Sequence, residues 1–308
     1  MQVLYVALVM VLLIISFLYL LASGKLEKKK RKESTKKEET GKERKNKWST
    51  FRRFEDVYSS IEEVQVALRD AGLLSSSLIV AIDYTKSNDY TGDVTFGGLP
   101  LHSINPQSLG KDENPTTMNP YQQVISIIGR TLEEFDDDKR IPAFGFGDTT
   151  TTNRSAFPFF KDRVCYTVSE VLQRYDEITP FVKLSGPTNF APVIYEAIDI
   201  VESCENAHLH ILVIIADGQV TDEVDTIDAI VEASRHPLII ITVGVGDGPW
   251  DMMREFDDDL PERTFDNFQF VDYNAVMKAG KYGDASFALH ALQELPQQYK
   301  ALKELKML

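Results

Sequence analysis

The sequence predicts an α/β fold: a doubly wound, mainly parallel sheet with helices on both faces, preceded by an N-terminal transmembrane helix. Three observations carry this. Near-continuous Ile, Val and Leu runs, in "SLIVAID", "HILVIIADG" and "LIIITVGVGDG", have the pattern of strands buried on both faces. Amphipathic stretches separate them, so that strand, helix and strand recur along the chain. Before all of these, residues 3–22, "VLYVALVMVLLIISFLYLLA", carry no charge and are long enough as a helix to cross a bilayer core.

That first apolar run is longer than the roughly 7–15 residues of a signal-peptide core and has no basic residue before it, so residues 1–23 read as an anchor. Residues 24–53 read as a basic, disordered linker, with twelve Lys or Arg against five Glu between Lys25 and Lys47. Basic residues beside a span tend to stay in the cytoplasm. The expectation is a single-pass membrane protein whose large domain faces the cytoplasm and whose linker can touch anionic lipid. The net +7 of Lys25–Lys47, in a chain of −14, leaves −21 on the rest of the chain. A folded part so acidic is not a nucleic-acid reader.

The domain proper is expected over residues 54–308. "FEDVYSSIEEVQVALRDAGL" reads as a helix ending near Gly72, and "SLIVAID" as a buried strand. A helix from Pro120, "YQQVISIIGRTLEEF", leads to the strand "IPAFGFGD". "VSEVLQRYDEI" and "APVIYEAIDIVESC" read as helices, and "VDTIDAIVEASR" as the helix between the strands "HILVIIADG" and "LIIITVGVGDG". The strand "FQFVDY" precedes a helical tail from Ala285. There Phe287, Leu292, Leu295, Tyr299 and Leu302 keep helical spacing, and Pro296 opens a second helix. With only Cys165 and Cys204, read as buried free thiols, neither a disulfide framework nor a cysteine zinc module is available. Any metal must be held mainly by oxygen.

Three strand ends or loops supply such oxygens. Asp83, Thr85 and Ser87 alternate as the chain leaves the first strand, which directs them to one side. Thr188 lies in the Gly/Pro-shaped loop "SGPTNFAP". Asp217 ends another buried strand, with Gly218 expected to permit a sharp exit. Two carboxylates and three hydroxyls form a hard, weakly charged donor set that suits Mg²⁺, which keeps several waters. An ion so held stays electrophilic and can accept a carboxylate from a partner protein.

This arrangement resembles the metal-ion-dependent adhesion site of von Willebrand factor A domains, which are Rossmann-like. "DYTKSN", "NPYQQVISIIGRTLEEFDDD", "PAFGFGD", "GPTNFAP", "VIIADGQVTD", "GVGDGPWDMMREFDDDLPERTFDNFQFVDY" and "LPQQYK" resemble, more closely, the A domain of the copines and of plant RING ligases that carry a copine-like A domain. The resemblance implies Asp83, Thr85, Ser87, Thr188 and Asp217 as ligands of Mg²⁺, or of Mn²⁺ or Ca²⁺. It also implies an Asp or Glu of a partner protein at the ion, and no catalysis. Copines place two C2 domains before the A domain, whereas here the apolar run and the basic tract precede it. No Cys follows Cys204, so a RING and its ligase activity are not expected.

Two other readings stand beside this one. Asp-x-Thr at a strand end with a later Asp-Gly also suits a Mg²⁺-dependent phosphoaspartyl phosphatase or transferase, with Lys183 on the phosphate. A metal-independent scaffold would instead dock through helix faces or the loop between Asn88 and Asn119. Asp148 and Asp247 read as loop-turn residues, Asp136–Asp138 and Asp257–Asp259 as solvated helix ends, and His208 and His210 as edge residues. "GVGDGPW" is no dinucleotide fingerprint, since Pro249 stands where the third glycine belongs.

Overall fold

A computed structural model describes residues 60–73, 75–104, 118–136, 139–205, 208–258, 260, 262–279 and 283–308. By main-chain proximity the chain divides into Met1–Phe51 and Arg52–Leu308, and every described residue belongs to the second unit. Helix α1 (Ile61–Ala71) starts where the Ser60 hydroxyl accepts the Glu63 N–H and stops at Gly72. With φ of 90°, Gly72 turns its N–H back onto the last carbonyls. Strand β1 (Ser76–Asp83) follows, buried at all eight positions. A capping box between Asn119 and Gln122 opens α2 (Pro120–Leu132). Strands β2 (Ala143–Phe146) and β3 (Ala156–Pro158) come next, then α3 (Val168–Ile178), α4 (Ala191–Ser203) and β4 (Leu209–Ala216). The chain closes with α5 (Glu223–Ala233), β5 (Leu238–Gly244), α6 (Asp251–Asp258), β6 (Phe268–Asp272), α7 (Tyr273–Ala279), α8 (Asp284–Leu292) and α9 (Leu295–Glu304).

The strands form one sheet in the order β3-β2-β1-β4-β5-β6, parallel except for the β2–β3 pair. Alternation splits the core in two. Leu78, Val80 and Ile82 of β1 face α1, α2, α3, α8 and α9, whereas Ile79 and Ala81 face α4, α5 and α6. The doubly wound, mainly parallel sheet is thus as expected. Strand β3 and helices α6 and α7 are not anticipated by the sequence: three residues carry no period in β3, acidic residues dilute the apolar face of α6, and α7 has only seven residues and takes Tyr273 from the expected strand. The tail residues Phe287, Leu292, Leu295, Tyr299 and Leu302 are all buried, and the Tyr299 hydroxyl donates to the Gly72 carbonyl.

The membrane expectation is corrected. Among the described residues no helix is long and apolar enough to cross a membrane. The longest run 13 residues, roughly 20 Å at 1.5 Å per residue, against a hydrocarbon core of about 30 Å. The apolar run at residues 3–22 and the basic linker lie outside the described residues. The single-pass, cytoplasm-facing assignment therefore has no structural support and is withdrawn.

Two smaller expectations also change. Cys165 is buried but Cys204 only partly so. Asp136 is buried, not solvated. Past α6 the Arg263 guanidinium pairs with Asp266 Oδ1 at 2.9 Å, with both side chains out of solvent, and donates to the main-chain oxygens of Leu260 and Asp257. Burial, then the Asp266 charge, pushes the Asp257 carboxyl up to about 7. Asp258 adds to this rise, while Arg263 and the Phe270 N–H oppose it.

A carboxyl whose folded pKa is raised contributes stability at low pH that is lost as pH climbs from 3.8 through about 7. Unfolding free energy should therefore fall between about pH 4 and pH 7 and level off above, by a few kcal/mol at most from this group. Urea titrations of the wild type and Asp257→Asn isolate its share, and equal pH slopes in the two proteins would refute the assignment.

Candidate metal centre

The winding reverses between β1 and β4. The chain leaves β1 towards β2 and β3, then returns to lay β4 on the other side of β1. Such a reversal opens a crevice beyond the carboxyl ends of the two strands, where ligands bind in open α/β sheets. Asp83 is the last residue of β1 and Asp217 directly follows β4, so the register sets two carboxylates at the mouth of that crevice.

The loop after β1 supplies the hydroxyls. Asp83 Oδ1 accepts the Thr85 N–H at 2.7 Å, which fixes the exit from the strand. Thr85 Oγ1 lies 3.0 Å from Ser87 Oγ, and Ser87 Oγ donates to Asp217 Oδ1 at 2.9 Å. Asp217 Oδ2 accepts from Thr91 Oγ1 at 2.6 Å. Asp83 Oδ2, however, is buried and accepts no hydrogen bond among the described residues. Burial, then the neighbouring Asp217 charge, raises the Asp83 carboxyl well above the ordinary range. Burial raises Asp217 too, against the pull of the Thr91 and Ser87 hydroxyls. Two buried carboxylates with one oxygen unsatisfied are costly in isolation and are compensated by a cation.

Thr188 enters through its main chain. Ser185 pairs with Thr85: its N–H donates to the Tyr84 carbonyl, and its carbonyl accepts the Lys86 N–H. Beyond the cis Gly186–Pro187 bond, the Thr188 carbonyl accepts the Thr221 and Asp222 N–H groups. The second loop is thereby stitched to both others. Four of the five expected residues share one hydrogen-bonded cluster; the buried Thr188 side chain has no hydrogen bond to them among the described residues. Nor do any three His, Cys, Asp or Glu side chains there gather as a metal group, since this set has only two carboxylates.

Glycines make the close approach possible. Gly147, after β2, has φ of 82°, and a Cβ there would lie 2.4 Å from Thr85 Cγ2. A Cβ at Gly246 would meet the Asp217 carbonyl at 2.7 Å. Gly218, by contrast, sits in the bend that follows β4 with open space and no left-handed φ, so that exit does not depend on its being glycine.

Beneath the site lies a polar and aromatic stack that sequence reasoning missed. His102, stacked on Tyr84 and Tyr121, puts Nε2 2.8 Å from the Asp83 carbonyl and Nδ1 2.7 Å from the Tyr175 hydroxyl. Burial lowers its pKa to about 4, so the ring is neutral. A carbonyl only accepts, so Nε2 carries the proton and Nδ1 accepts from Tyr175. Asn119, the cap of α2, donates to that same hydroxyl, and Asn88 donates to the Asp83 and Thr85 carbonyls. A lone His in an irregular loop has no periodicity to betray it.

The secondary candidates separate. Asp148 accepts from Thr150 and Thr151 in its own turn, as a turn residue should. Asp247 instead reaches across to the Val94 and Thr95 N–H groups, both at 2.9 Å, and to the Thr95 hydroxyl. It is a clamp between loops. His208 stacks on His210 and meets the Ser77 hydroxyl.

The family model of the copines matches residues 108–308. The E3 ubiquitin-protein ligase RGLG2 of Arabidopsis thaliana is 52% identical over 274 residues, covering 84% of this chain and 56% of that protein. Copine family protein 2 of Caenorhabditis elegans is 51% identical over 256 residues, covering 82% of this chain and 3% of that protein. The chain thus spans a little over half of RGLG2, whose ligase name describes the whole relative. Among solved structures, that of manganese-loaded Plasmodium vivax TRAP protein overlays 69% of this chain and 74% of that one, at a TM-score of 0.44 and 13% identity. Sequence kinship of this extent, across a sheet whose winding reverses at Asp83 and Asp217, shows that the chain belongs to the copine family and carries a copine-type A domain.

Proposed function

We propose that the domain, residues 54–308, is a protein-interaction module built on a metal-ion-dependent adhesion site. Asp83, Thr85, Ser87, Thr188 and Asp217 hold Mg²⁺ or Mn²⁺, with Ca²⁺ as the larger alternative, and an Asp or Glu of a partner protein completes the coordination. The observation that carries this reading is Asp83 Oδ2, buried without a hydrogen bond among the described residues and beside a second buried carboxylate. A hard dication supplies the charge and the missing partner at once, and the hydroxyls around it are neutral oxygen donors. Bound there, the ion would act as a Lewis acid towards one external carboxylate. This chain's residues then orient it, while the His102 and Asn88 bonds keep the Asp83 and Thr85 carbonyls in place.

Calorimetric titration of residues 48–308 with Mn²⁺ tests the site. Ser87→Ala and Thr188→Ala are each expected to weaken binding about tenfold or more. Affinity unchanged in both would reject these ligands. Binding of a partner that persists in EDTA would point to a metal-independent scaffold. Metal-dependent turnover of a phosphate ester, lost in Asp83→Asn, would point to a phosphoaspartyl enzyme. The ligase activity named for the plant relatives is not proposed for this domain.

A further inference from the structure

Four of the most exposed apolar side chains stand on or next to the segments that build the site. Tyr90 (59% exposed) and Val94 (84%) stand on the loop after β1, Phe181 (84%) precedes the Ser185 segment that pairs with Thr85, and Val224 (70%) opens α5. On the first loop this exposure is held in place. The Tyr90 and Thr91 N–H groups both go to the Ser87 carbonyl, Thr91 Oγ1 goes to Asp217, and the Asp247 N–H returns to the Thr91 carbonyl. The Asp247 carboxylate holds Val94 and Thr95. The loop can hide apolar residues, since its own Leu101 is buried. Yet the latched backbone turns Tyr90 and Val94 outward beside the crevice. Apolar groups held in water around a polar centre mark a contact surface.

The same edge is acidic on balance, with Asp93, Asp222, Glu223 and Asp247 on its loops beside the ion pairs Lys86–Asp89 and Arg254–Asp251, in a chain that is −21 outside its basic tract. That field repels an anionic membrane and favours a partner poor in acid. We infer that the site takes a protein segment carrying one Asp or Glu for the ion, with apolar residues on either side of that acid and basic residues further out. The apolar neighbours rest on Tyr90, Val94, Phe181 and Val224, and Asp247 keeps the first two in position. This rests on the metal-bridged reading above and names its partner class.

The test uses synthetic peptides with a central Glu, flanked by Leu and Phe or by Ser and Gly, each with Lys ends, in Mg²⁺ and in EDTA. Fluorescence anisotropy should show the apolar-flanked peptide binding about tenfold tighter, the change that burying one aliphatic side chain produces. Val94→Ser and Tyr90→Ser should erase that preference while Mn²⁺ affinity, measured without peptide, stays constant. Asp247→Ala should reduce it. Mg²⁺-dependent binding indifferent to the flanks would overturn the inference and leave the metal reading intact. If no Glu peptide binds in a Mg²⁺-dependent way, both fall. Mg²⁺-dependent binding to phosphatidylserine vesicles that is lost in Val94→Ser would overturn the peptide assignment in favour of a membrane.

Discussion

Replacing Asp83 by Asn is expected to stabilise the metal-free protein and to abolish its response to Mn²⁺. In the metal-free domain the Asp83 carboxyl is buried, faces Asp217 and leaves Oδ2 without a hydrogen bond. An amide in its place carries no charge and can donate to Asp217, which removes a penalty of about 1–3 kcal/mol for an unsatisfied buried polar group. In a domain of this size that is a rise of roughly 3–10 °C in Tm. The same change deletes a charged ligand, so Mn²⁺ affinity should fall by more than about 100-fold. Saturating Mn²⁺, worth about 2.7 kcal/mol to the wild type at a hundred times its Kd, should then leave Asp83→Asn unmoved. Scanning calorimetry with and without Mn²⁺ reads both effects. A variant less stable than the wild type without metal, yet still stabilised by Mn²⁺, would mean that Asp83 is a structural capping residue.

A second large effect is expected at Arg263, between α6 and β6. Its guanidinium and the Asp266 carboxylate are both out of solvent, 2.9 Å apart, and the largest influence on Arg263 is burial, which lowers its pKa. Asp266, Asp257, Glu294 and Asp258 surround it, so its charge acts on several half-buried or buried acids at once. Arg263→Met fills similar space but leaves those acids without it, and breaking one side of a buried pair costs about 3–5 kcal/mol. Urea unfolding should show that loss. The double change Arg263→Met with Asp266→Leu should recover much of it, because the cost is an uncompensated charge more than a lost attraction. A loss below about 1 kcal/mol for the single variant would mean that water or protonation already satisfies the acids.

These two sites show what could be read along the chain. The runs at 76–83, 209–216 and 238–244 were legible because strands buried on both faces need continuous apolar residues. Asp83 and Asp217 stood out because a carboxylate closing such a run is otherwise expensive. The Arg263 cluster was illegible: "DDDLPERTFDNF" looks like a solvated turn until β6 and α6 close around it. Asp247 looks like a turn residue along the chain because its partners, Val94 and Thr95, are distant in sequence. Thr91 and His102 gave no signal, since a loop has no period.

By itself, then, the order of residues determined the alternation of strands and helices, the acidic character of the domain and the residue types at the strand ends, since these follow from local periodicity and composition. Tertiary structure alone decided that the winding reverses between β1 and β4, which sets Ser87 against Asp217 and leaves one oxygen of Asp83 unsatisfied. It also decided that Asp247 latches the neighbouring loop and that His102 props the Asp83 carbonyl. The physical reason is that such bonds join residues widely separated along the chain, whose approach is set by the packing of the whole sheet and by no local preference.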